Sequence, residues 1–138
     1  MWQGIVLCAG LTLGGGFGRL SRRFGLTCDN LLAADVVTAN GHYVHTSETD
    51  NPDLFWGLRG GGGNFGVVTS FDFQLHALDP VVLAGSVAWP FEQARDVLRF
   101  FADYSLSIPD ELYLIASLLR TQDGTPFVNI GVLWSADH

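Results

Sequence analysis

Two glycine clusters are the residues best placed for chemistry in this sequence: GGGFG at 14–18 and GGGGNFG at 60–66. A peptide unit without a side chain can lie directly against a ligand and aim its N–H at an anion, or it can simply serve a tight turn. The first cluster does not fit the dinucleotide-binding fingerprint G-x-G-x-x-G/A. Counting from Gly14 puts Arg19 where Gly or Ala is needed, and counting from Gly16 puts Ser21 there. The second matches in letters at Gly61, Gly63 and Gly66, but it leads from an expected helix into an expected strand, whereas that fingerprint needs strand, loop, helix. Neither is followed by G-K-[ST], which excludes a P-loop. Arg19, Arg22 and Arg23 follow the first cluster in an otherwise acidic chain. They would suit a phosphate-bearing ligand, or form a solvated basic edge.

Other reactive side chains carry less. His42 and His45 stand at i, i+3 in a predicted strand, so they point to opposite faces and make a poor metal pair. His76 and the terminal His138 have no Cys or His neighbour at ligand spacing, and no metal site is expected. Asp29, Asp35, Asp50, Asp53 and Asp72 are scattered, and their spacing assigns no acid–base pair. Cys28 has no evident base beside it and reads as a buried, inert thiol, while Phe55 and Trp56 read as core. No residue is named as catalytic.

The composition sets outer limits. The chain has 138 residues, 48% of them apolar, enough for an ordinary core. Its formal charge of -7 argues against a nucleic-acid partner, because backbone-tracking proteins concentrate Lys and Arg. All seven basic residues are Arg, so Schiff-base chemistry through a lysine is excluded. The two cysteines, Cys8 and Cys28, form no disulfide framework and are expected as reduced thiols. Residues 1–13 are apolar, but they lack a basic n-region and a cleavage pattern, and they are too short to cross a bilayer. A soluble, cytoplasmic protein without a membrane partner is expected.

The elements that must position these residues are well punctuated. In ADVVTANGHYVHT, Asn40-Gly41 predicts a type I′ hairpin turn between strands near 34–39 and 42–47. NPDLFWGLRGG predicts a short helix with Asn51 as N-cap, Pro52 at its first position, and Leu54, Phe55 and Leu58 facing the core. The alternation of Val67, Thr69, Phe71, Phe73 and Leu75 predicts a half-buried strand. Beyond Asp79-Pro80 follow a strand in VVLAGSVAWP and a helix with Phe91, Ala94, Val97, Leu98 and Phe101 on one face. Two more strands, ELYLIASLLRT and FVNIGVLWS, flank a QDGTP turn. This order implies an α+β fold, with an antiparallel or mixed sheet covered by a helix in the second unit and a boundary near 79–80.

Taken together, AGLTLGGGFGRLSRRFGLTCDNLLAADVVTANG and NPDLFWGLRGGGGNFGVVTSFDFQLHAL resemble the FAD-linked oxidases of the vanillyl-alcohol-oxidase superfamily, specifically the berberine-bridge-enzyme-like group. The likeness runs through residues 9–79, and 80–138 is more weakly similar to the start of that family's substrate domain. The resemblance implies that 1–79 is the C-terminal part of a PCMH-type FAD-binding domain, and that 80–138 is the truncated N-terminal part of an antiparallel-sheet substrate domain. It further implies that Gly14, Gly15, Gly16 and Gly18 lie against FAD with backbone amides, that Gly10, Leu11 and Thr12 line the same groove, and that the backbone of Val37 contacts the flavin nucleotide. The second cluster is then mainly the connection from helix to strand beneath the first.

The implied reaction is hydride transfer from a C–H bond of a small-molecule substrate to the flavin, with electrons passed to dioxygen. The family's histidine attachment of FAD lies in a half that these residues do not contain. The cysteine attachment of some members falls at Gln3, so neither Cys8 nor Cys28 takes that role. MWQGIVLC departs from the family pattern, which implies a truncated or unusual start, and the family's catalytic base has no counterpart. The chain is therefore expected to act within a longer protein, beside a complementary chain or as a homo-oligomer. A non-catalytic flavin-binding module and a cofactor-free interaction remnant are the alternatives.

Overall fold

A computed structural model of the chain describes residues 9–78 and 81–136. Gln3, Cys8, the expected boundary at Asp79-Pro80, and His138 lie outside the described residues. The chain divides into two units, Met1–His76 and Ala77–His138.

In the first unit, a helical stretch at 9–13 (α1) leads into the first glycine cluster. The helical turn α2 (Ser21–Phe24) and a 3-10 turn (Thr27–Asn30) follow. Strands β1 (Leu31–Val37), β2 (Tyr43–Ser47) and β3 (Val67–Phe73) then form an antiparallel sheet in the order β2-β1-β3. The helix α3 (Pro52–Leu58) and a 3-10 turn (Gly62–Phe65) connect β2 to β3. Ala34 and Val36 of the central strand pack on Leu58 of α3, and Leu13, Leu54 and Val68 close around them. Burying a Leu side chain this fully contributes about 1.5–3 kcal/mol. Leu13 docks the end of α1 on this core, just ahead of the first glycine cluster.

Several expectations are corrected here. The turn at 38–42 is not type I′, because Gly41 has a positive φ of 79° and Asn40 does not. Gly41 N–H donates to Thr38 O at 2.9 Å and Thr38 N–H to His42 O at 2.9 Å, a turn closed by one left-handed glycine. The strands accordingly lie at Leu31–Val37 and Tyr43–Ser47. Asn51 occupies the N-cap position of α3 but does not cap it, since its amide donates to His45 O at 2.8 Å. Trp56, read as core, is 79% exposed, because α3 has only two turns and its inner face is already filled by Phe55 and Leu58.

The alternation expected in β3 breaks at Thr69. Asp35 pairs with Ser70 and Val36 with Val68, leaving Thr69 as an extra residue in a bulge. The phase therefore flips, with Phe71 and Phe73 half-buried, Val68 on the core and Val67 69% exposed. Leu75 lies beyond the strand and is exposed.

The second unit is a sheet of β4 (Leu83–Pro90), β5 (Leu112–Arg120) and β6 (Pro126–Trp134) in the order β4-β6-β5. β6 is antiparallel to both neighbours, so β4 and β5 run parallel and are joined through α4 (Ala94–Ser105). Val97 packs on Val128 and Ile130, with Ala94, Leu98, Phe101 and Trp89 around them. This is the helical stripe expected from the sequence, except for Phe91. That residue sits in a 3-10 turn before the helix and is 44% exposed. The architecture is the expected α+β arrangement of antiparallel sheet with a covering helix. Among the described residues no helix is long and apolar enough to cross a membrane.

Candidate functional site

The first glycine cluster begins where α1 ends. Gly14 N–H donates to Gly10 O at 3.2 Å and Gly15 N–H to Thr12 O at 3.0 Å, terminating the helix within the cluster. The loop is then stitched to the 3-10 turn. Gly15 O accepts Cys28 N–H at 3.0 Å, and Gly16 O accepts both Thr27 N–H at 2.9 Å and the Thr27 hydroxyl at 3.1 Å. Gly18 N–H donates to Ser21 Oγ at 2.8 Å. The amides of Gly14, Gly15 and Gly18 are thus engaged inside the chain, so a ligand at this loop meets Cα hydrogens and peptide faces rather than these N–H groups.

The sequence-predicted residues sort by exposure. Gly10, Leu11 and Gly14 are exposed, Gly15, Gly18 and Val37 are half-buried, and Thr12 and Gly16 are buried. At Gly16, with φ of 80°, a Cβ would lie 2.4 Å from both Cβ and Oγ1 of Thr27, so this glycine serves the packing of the loop. At Gly10 and Gly15 a Cβ would meet nothing within 4 Å. Side-chain-free peptide surface is therefore presented at Gly10, Gly14 and Gly15.

The structure brings the two clusters together. A Cβ on Gly60 would reach Gly15 Cα at 4.0 Å. Further along, a Cβ at Gly61 would lie 2.3 Å from Gly57 O, and one at Gly66 would lie 2.4 Å from Val37 O. Those two glycines are fixed by close packing, whereas Gly62 and Gly63 face open space. Val37 is thereby held against the second cluster.

Arg59, which sequence reasoning did not single out, joins the same region. Its Nε–H donates to Cys28 O at 2.9 Å, and its Nη2 lies 3.3 Å from Asp29 Oδ1. The other Asp29 oxygen accepts Leu26 N–H at 2.9 Å. Asn30 fixes the preceding loop, donating its amide to Phe24 O at 2.8 Å and Leu26 O at 2.9 Å. The one sequence signal for Arg59 was a cation directly before Gly60 in an acidic chain.

The remaining candidates fall elsewhere. Cys28 is buried, and burial, followed by the charge of Asp29, pushes its thiol above the usual range, so it is not poised as a thiolate. His42 lies in the turn. His45 Nδ1 lies 2.8 Å from Asp35 Oδ1 across β1 and β2. That hydrogen bond, then one from Tyr43, lowers the Asp35 pKa, and the same bond to Asp35 raises that of His45. The pair clasps the exposed sheet face. Arg23 places its guanidinium 5.0 Å from the Phe24 ring centroid. Among the described residues no group of three or more His, Cys, Asp or Glu side chains could hold a metal.

Comparison with known proteins places this geometry in context. No family model matches the chain. An uncharacterized FAD-linked oxidoreductase of Bacillus subtilis is 40% identical over 104 residues, covering 75% of this chain and 23% of that protein. The (R)-6-hydroxynicotine oxidase of Paenarthrobacter nicotinovorans is 48% identical over 125 residues, covering 89% of this chain and 27% of that protein. Among solved structures, BBE-like 1 of Physcomitrella patens superposes with a TM-score of 0.81 at 30% identity, over 91% of this chain and 27% of that one. The chain thus spans about a quarter of the length of these relatives.

Proposed function

Because the chain belongs to the FAD-linked oxidoreductases of the berberine-bridge-enzyme-like group, we propose that it supplies the central part of a flavin-dependent oxidase. Residues 1–79 would be the C-terminal part of a PCMH-type FAD-binding domain, and 80–138 the N-terminal part of the substrate domain. FAD, bound at the first glycine cluster, would supply hydride acceptance from a C–H bond of a small-molecule substrate and onward transfer of electrons to dioxygen.

The residues present fit such a group. The observation that carries the reading is the open peptide surface at Gly10, Gly14 and Gly15, where added side chains would occupy space the fold leaves clear. Exposed Leu11 adds an apolar neighbour to that surface. Thr12 and Gly16 would support it from beneath, Gly18 would fix the loop's exit through Ser21, and the backbone of Val37 would bound it from the β1 side. The protein's part is to hold and orient the ring and to keep water from it. Turnover would belong to a longer protein, or to this chain with a complementary one, and we read the setting as cytoplasmic, a reading that the sparse cysteines support.

Titration of the purified chain with FAD, followed by flavin fluorescence, tests the reading. Saturable quenching is expected, and Gly14→Trp is the obstructing variant. A Cβ at Gly14 meets only ordinary contacts, 3.5 Å to Gly10 O and 3.7 Å to Leu11 O, so the substitution fills the surface without breaking the loop.

A further inference from the structure

A closed circuit of contacts ties the two glycine clusters together through Arg59. Arg59 is followed directly by Gly60, whose Cβ position faces Gly15 Cα at 4.0 Å. Gly15 O accepts the Cys28 N–H at 3.0 Å, and Cys28 O accepts Arg59 Nε–H at 2.9 Å, which returns the circuit to its start. The guanidinium has a second arm on Asp29 Oδ1 at 3.3 Å, while the other oxygen of that carboxylate holds Leu26 N–H at 2.9 Å. Its Cζ lies over the ring of Phe55, 5.6 Å from the centroid, a buried residue of the first unit's α3. The Arg59 side chain thus ties the Cys28–Asp29 segment to the end of α3 and, through the Cys28 N–H, reaches the Gly15 loop indirectly.

We propose that Arg59 is a positioning residue, which sets the spacing between the Gly14–Gly16 loop and the Gly60–Gly63 loop and so shapes the surface on which FAD is held. The proposal rests on the flavin-site reading above. The guanidinium fork suits this task because it addresses a backbone carbonyl and a carboxylate at once in one plane. An ammonium has one centre and cannot hold both geometries, so Arg59→Lys keeps the cation for Asp29 and loses the fork. Arg59→Met keeps the packed stem and loses every donor.

The experiment compares the wild-type chain with Arg59→Lys and Arg59→Met in three measurements: FAD titration, the visible circular dichroism of the flavin at saturation, and the exchange rate of the Cys28 amide proton without FAD. The expected result is about tenfold weaker FAD binding in both variants, on the scale of losses when an orienting partner is removed. An altered flavin dichroism should accompany it, with a cooperative thermal transition retained and lowered by no more than a few degrees. The Cys28 amide should also exchange about tenfold faster, since its bond to Gly15 O is no longer buttressed. Wild-type affinity and dichroism in both folded variants would overturn the proposal, and so would unfolding of both, because a positioning role requires an intact fold. If Arg59→Met alone fails to fold, Arg59→Lys decides. Should the wild type bind no FAD, the flavin reading fails, and Cys28 exchange alone decides whether Arg59 ties the two loops.

Discussion

Gly16 and Gly10 belong to the same sequence motif and do opposite things. Gly16 takes a positive φ and leaves no room beside Thr27, so Gly16→Ala is expected to cost about 1–3 kcal/mol in denaturant unfolding. Gly10 lies in α1 with open space at its Cβ, and Gly10→Ala is expected to leave stability equal or raise it by about 0.5–1 kcal/mol. The position of the loop was legible in the sequence. Which glycine packs and which faces outward was not, because that depends on Thr27 returning from eleven residues away. Arg59 was hidden for the same reason, its partner Asp29 being thirty positions distant.

The His45–Asp35 clasp gives a residue-scale prediction in pH. The raised His45 pKa contributes stability present below its unfolded value of about 6.5 and lost as pH rises through the folded value. The lowered Asp35 pKa contributes above its unfolded value of about 3.9 and is lost as pH falls through the folded one. The pair is therefore fully effective between these limits. Proton NMR titration should show His45 moving back toward the ordinary range in Asp35→Asn, and an unmoved His45 would contradict the assigned cause.

At the scale of elements, two hairpins share one solution. Thr38-Ala39-Asn40-Gly41-His42 and Thr121-Gln122-Asp123-Gly124-Thr125 both close by donation from the threonine N–H to the fifth residue and from the glycine N–H to the threonine carbonyl. In each, the threonine hydroxyl also meets the Asn40 or Asp123 side chain. The Asn-Gly signal was read correctly as a turn and assigned the wrong type, since a following left-handed glycine serves a longer loop as well as a tight one. Gly124→Ala, at φ of 88° in open space, should cost about 1–2 kcal/mol by backbone strain alone. The strands and α4 were legible because their periodicity is local. The bulge at Thr69 was not, because it is defined by what β1 presents opposite it. Leu58→Ala should cost about 2–5 kcal/mol in urea unfolding, for it removes the helix's anchor on Ala34 and Val36.

For the whole molecule, the family likeness was visible as an ordered set of motifs, and the relatives and superposition bear it out over about a quarter of their length. No single motif would have sufficed, since each glycine cluster alone fails or misplaces a known fingerprint. The central claim is that flavin rests on the side-chain-free surface around Gly14. Fluorescence titration of the wild-type chain and Gly14→Trp with FAD tests it most directly. The account predicts saturable binding by the wild type and at least about tenfold weaker binding by the variant, a tenfold change being about 1.4 kcal/mol. Equal affinity in the two proteins, or no saturable binding by the wild type, would contradict it.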